Sequence, residues 1–102
     1  MTHKFVLIFA TRYNGLYLQD KNTKINSEIN DTANSIVDRL ELCGLTRDWV
    51  GEDDRGDWDD DSARDLSTDC QNILINLIKN DSEFKEKFGS QAIEFEFDHH
   101  SS

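Results

Sequence analysis

Lys4-Phe5-Val6-Leu7-Ile8-Phe9-Ala10-Thr11-Arg12-Tyr13 is the stretch on which the fold turns. Side chains alternate across a strand, so Phe5, Leu7 and Phe9 share one face and Val6, Ile8 and Ala10 share the other. Apolar residues on both faces predict a central strand covered on each side. Asn14-Gly15 follows, the pair that best suits a two-residue hairpin turn with both residues at positive φ. The return strand is then Leu16 to Asp20, shorter and more polar, and so expected at an edge.

Residues 21–26 read as a polar connection. From Ser27, a capable helix cap, Ile29, Ala33, Ile36, Val37 and Leu40 fall on one helical stripe. The spacing predicts a helix running to Cys43, stopped by Gly44 in the left-handed C′ position. Leu45 to Asp61 reads mostly as loop, with at most one helical turn near Asp48. Ser62-Ala63-Arg64-Asp65 resembles a capping box opening a helix to about Asn80, whose buried stripe is expected at Ala63, Leu66, Cys70, Ile73, Leu74 and Leu77. A short third helix carries Phe84 and Phe88 and ends at Gly89. Gln91 to Asp98 alternates Ile93, Phe95 and Phe97 with Glu94, Glu96 and Asp98, a strand with one buried and one solvated face.

The expected fold is therefore α+β, a small two-layer sandwich of order β-β-α-α-α-β. Helices pack on a three-stranded, mostly antiparallel sheet in a single domain spanning residues 1–102. A chain of 102 residues is long enough to bury a core without metals or disulfides. The clean periodicity excludes global disorder despite 31% charged residues. Cys43 and Cys70 are expected as free, buried thiols of a cytoplasmic protein; their spacing makes no zinc motif. Phe5 to Ala10 is too short for a signal-peptide core, and nothing approaches the roughly 20 apolar residues of a membrane span.

Charge supplies the functional clue. Between Asp48 and Asp65 lie nine carboxylates, with Arg55 and Arg64 the only bases, so this window carries −7 of the formal −10. The charge is a local device, and it destabilises a fold unless a cation or a basic partner offsets it. A pI near 4.5 excludes direct nucleic-acid binding and attachment to an anionic membrane.

Three functions compete for the window. The first is a solvated loop serving solubility, which has no use for an exposed Trp49 or Trp58. The second is a face for a basic protein, with Asp53, Asp54, Asp57, Asp59, Asp60 and Asp61 steering association and an exposed Trp58 as anchor. The third is a Ca²⁺ loop. Asp57, Asp59, Asp61 and Asp65 fit positions 1, 3, 5 and 9 of an EF-hand, but Ser62 stands where glycine belongs and Thr68 where the bidentate glutamate belongs.

Catalysis has little support. The acids are consecutive rather than convergent, His3, His99 and His100 lie near the ends of the chain, and no glycine-rich phosphate loop is present. The sequence thus points to a small acidic inhibitor that is not an enzyme and needs no cofactor or metal. Its most concrete form is an immunity protein, or antitoxin, that blocks a bacterial nuclease toxin. The alternatives are a nucleic-acid mimic that occupies a DNA- or RNA-binding protein, in the manner of phage anti-defence inhibitors, and a weak divalent-cation module. Glu94, Glu96 and Asp98 form a second, smaller acidic stripe, expected to be the solvent side of the last strand.

Overall fold

In a computed structural model describing residues 3–11, 15–22 and 27–98, the chain forms three strands and five helices. These are β1 (Phe5–Ala10), β2 (Gly15–Asp20), α1 (Ser27–Arg39), α2 (Leu42–Val50), α3 (Asp60–Arg64), α4 (Thr68–Lys79), α5 (Ser82–Phe88) and β3 (Ile93–Asp98). The three helical regions expected are present. The first ends at Arg39, and α2 then runs through Leu45 to Val50, a stretch expected to be mostly loop; the second is divided into α3 and α4.

β1 is the centre of the sheet, which runs β2-β1-β3. It pairs antiparallel with β2, Leu7 opposite Leu18, and parallel with β3, Phe5 opposite Ile93. The sheet is therefore evenly mixed rather than mostly antiparallel. A parallel partner requires a crossover connection, and the helical region between β2 and β3 supplies one. Gly15 is already in β2, opposite Ala10, so residues 11–14 separate the strands instead of a two-residue turn. Asn14 itself lies outside the described residues, as do His99, His100 and the serines that follow them.

Residues opposite one another share a face, which places Phe5, Leu7, Phe9, Leu16, Leu18, Ile93, Phe95 and Phe97 together beneath the helices. They form one core with Ala33, Ile36 and Val37 of α1, Leu42 and Val50 of α2, Leu74 and Ile78 of α4, and Phe84 of α5. Val6, Ile8 and Ala10 are on the other face and outside that core. Val6 and Ala10 are nevertheless buried, at 3% each, so β1 is covered on both faces as expected, and its helix side forms the larger apolar layer. Burying a side chain the size of Phe or Leu contributes roughly 1.5–3 kcal/mol, so this single layer carries most of the stability.

The division between α1 and α2 has a physical cause. At 100° per residue, Leu42 lies about half a turn away from Ala33 on a continuous helix. Leu42 and Thr46 would then face water, with Val50 at the margin of the stripe. Glu41 breaks the helix by adopting φ 56, ψ 37, and all three side chains become buried. The stop is thus a left-handed glutamate, and Gly44 lies inside α2. The second division is capped. Ser67 Oγ accepts the Cys70 N–H at 3.2 Å and opens α4, where Ser62 had been expected to start the helix. The resulting phase buries Leu74 and Ile78 and leaves Ile73 and Leu77 exposed, at 46% and 42%, against the expected stripe.

At the C-terminal end the expectations hold. Phe84 is fully buried, Phe88 packs edge-on against Phe5 at 5.0 Å, and Gly89 ends α5 at φ 73. Asp81 caps α5 by accepting the Phe84 N–H at 3.1 Å and the Arg39 guanidinium at 2.8 Å. The arginine bond, more than burial opposes it, holds the Asp81 carboxyl below the ordinary 3.8. This pair joins α1 to α5.

The two outer strands are finished differently. Asn34 of α1 reaches β2, its Oδ1 accepting the Leu18 N–H at 2.7 Å and its Nδ2 donating to the Leu18 carbonyl at 3.0 Å. Asn30 Oδ1 accepts the Asp20 N–H at 3.0 Å. Asparagine side chains thus stand in for a fourth strand along β2. From Ile93 to Glu96, β3 has no such cover among the described residues.

Candidate functional site

The acidic window is a folded hairpin. Gly51, at φ 70, ends α2 by donating its N–H to the Arg47 carbonyl at 2.9 Å. The chain turns back on itself so that Glu52 bridges Trp58, Asp53 N–H donates to the Asp57 carbonyl at 2.7 Å and Asp59 N–H to the Gly51 carbonyl at 3.2 Å. Gly56 makes the reversal at φ 83, a conformation that side chains with a Cβ rarely adopt.

Within this frame, the carboxylates have two kinds of work. Asp53 Oδ1 accepts the N–H of Arg55 at 2.8 Å and that of Asp57 at 3.1 Å, closing the tip of the turn. These backbone donors, the Arg55 bond first, hold the Asp53 carboxyl below the ordinary 3.8. Arg55 also pairs with Asp53 at 3.3 Å and with Asp57 at 3.8 Å. Asp59 Oδ1 accepts the N–H groups of Asp61 at 3.0 Å and Ser62 at 3.3 Å and so caps α3. Asp53 and Asp59 are half-buried and turned onto their own backbone, and Asp57, half-buried as well, faces Arg55. Glu52, Asp54, Asp61 and Asp65 are exposed and stand outward, with Asp48 on α2. Asp60 opens α3, and its side chain lies outside the described parts.

Trp58 is not the exposed anchor that its acidic surroundings suggested. It is 4% exposed and meets Phe9 edge-to-face, ring centroids 5.2 Å apart. The indole pins the hairpin to the sheet, because an aromatic of this size gains far more from the core than from water. Trp49 is half-buried against the same core.

Of the residues expected to meet a partner, Asp54 and Asp61 are displayed, Asp53, Asp57 and Asp59 shape the display, and Trp58 supports it from below. The EF-hand register of Asp57, Asp59, Asp61 and Asp65 is not gathered around a point. The Asp59 carboxylate is engaged by the start of α3, and among the described residues no three histidine, cysteine or acidic side chains converge as a metal site. Nor is any helix among them long and apolar enough to cross a membrane. As expected, Glu94, Glu96 and Asp98 are all exposed along one side of β3.

In comparisons with protein-family models, with curated proteins and with solved structures, nothing matches this chain.

Proposed function

We infer that this chain is an acidic inhibitor that binds and neutralises a basic protein. The observation that carries the reading is the division of labour in the hairpin. Asp53 and Asp59 fold the loop, Trp58 fixes it to the core, and Glu52, Asp54 and Asp61 are left facing water on a preset frame. Carboxylates held in place lose little freedom on meeting a cationic surface, and their summed field speeds the encounter. The anchoring aromatic expected at Trp58 is no part of this reading.

In its most concrete form the partner is a bacterial nuclease toxin and the chain its immunity protein. A nuclease must be basic where it holds phosphate, so clustered carboxylates suit its cleft. Such a role calls for no cofactor and assigns no residue to catalysis.

Co-expression with the product of the adjacent reading frame in the source genome tests this. Rescue of growth from a toxic neighbour is the expected result, with rescue weakened in an Asp54→Asn, Asp61→Asn variant that folds normally. A toxic neighbour that is not rescued would refute the immunity reading.

A further inference from the structure

We propose that the edge of β3 is a docking site for an extended, basic segment of a partner protein, which adds to the sheet as a fourth strand. The proposal rests on the reading of the partner as basic and adds where and how it is held.

The two edges of the sheet are unequal. β2 is closed by Asn30 and Asn34, whereas β3 from Ile93 to Glu96 has no equivalent cover among the described residues. A strand edge of this kind offers backbone donors and acceptors to another chain. α4 is the helix packed on β3, and its Ile73 and Leu77, one turn apart, remain exposed beside the buried ridge of Leu74 and Ile78. They leave apolar area for the side chains that an added strand would turn toward the helix layer. On the other side of β3, Glu94, Glu96 and Asp98 stand at every second position.

Charge selects the occupant. A second copy pairing here would set three carboxylates against three, and each copy carries a formal −10. Like charges directly opposite on paired strands are destabilising, and opposite charges are stabilising. Lys21, 3.9 Å from Glu96, offsets one of the three only in part. The strand that fits therefore alternates lysine or arginine, facing the carboxylates, with apolar residues facing α4.

Titration of the ¹⁵N-labelled full chain with a synthetic peptide alternating valine and lysine, and with its valine–glutamate twin, tests the site. The lysine peptide is expected to shift the amide signals of Ile93–Asp98 and of α4 around Ile73 and Leu77, and to slow exchange of β3 amides. A Glu94→Lys, Glu96→Lys variant, checked for normal thermal unfolding, is expected to bind the lysine peptide about tenfold more weakly and to prefer the glutamate peptide.

Shifts confined to residues 51–61 would overturn strand addition while leaving the basic-partner reading in place. Equal binding of both peptides, or of neither, would overturn the proposal, as would sedimentation showing the unliganded chain to be a dimer paired through β3. Failure of growth rescue in the co-expression assay bears on the partner's identity and leaves these peptide results unaffected.

Discussion

The hairpin of residues 51–59 and strand β3 are both acidic, but their carboxylates stand in different relations to the fold. In the hairpin, Asp53 and Asp59 accept backbone N–H groups and a tryptophan beneath them is part of the core. In β3, Glu94, Glu96 and Asp98 point to solvent, and only the intervening Ile93, Phe95 and Phe97 contribute to packing. A side chain that builds a turn cannot lose its accepting oxygen without loosening it. One that decorates a strand can.

The largest test of that contrast is Trp58→Ala. Truncating a buried aromatic costs about 3–5 kcal/mol, so chemical denaturation should show a loss of that order. A loss below about 1 kcal/mol would mean that the hairpin is not held by the core, and the contrast with β3 would collapse. Asp59→Ala comes next. It removes the cap of α3 and is expected to lower stability by about 1 kcal/mol, while Asp59→Asn, which keeps an accepting oxygen, should be close to neutral. Equal losses in the two variants would assign the effect to charge instead of the cap.

Asp53→Asn sharpens the comparison through pH. The folded carboxyl lies below the ordinary 3.8, so its contribution is present above that value and is lost as pH falls through the folded pKa. Wild type should exceed the variant in stability near neutrality, and the gap should close below about pH 4 in thermal melts taken at successive pH values. The effect is small because solvent screens this exposed turn. A gap that does not vary with pH would show that shape, not ionisation, matters at the tip. Smallest is the double change Glu94→Gln, Glu96→Gln, expected to leave stability within about 0.5 kcal/mol. A larger fall would tie the strand's acids to the fold, most simply through the Lys21 pair.

Much of this architecture could be read from the chain before its structure. Alternation marked β1 and β3, and the placement of Phe84, Phe88 and Gly89 marked α5. Direction was not legible, because an apolar–polar alternation is the same whether β3 runs parallel or antiparallel to β1. The break at Glu41 left a trace only in phase: Ile29 to Leu40 form one stripe, and Leu42, Thr46 and Val50 another, rotated from it. The same kind of phase shift after Leu66 moved Ile73 and Leu77 out of the core and Ile78 into it.

At the candidate site, the sequence located the charge but not its orientation. Nothing in a run of aspartates distinguishes Asp53, folded onto two backbone donors, from Asp54 beside it in open water. Trp58 was misplaced because its neighbours in sequence are acidic, whereas its neighbour in space is Phe9.

The parallel pairing of β1 with β3 joins the two ends of the described chain, Phe5 lying opposite Ile93. Contacts so distant in sequence are slow to form, since the intervening segment must first be gathered in. On the ribosome, β1 emerges early and can take only β2 as a neighbour until β3 follows. In the interval its other edge is bare. The last strand therefore acts as a latch, and a nascent chain stalled before residue 93 would be the form of this protein most in need of a chaperone.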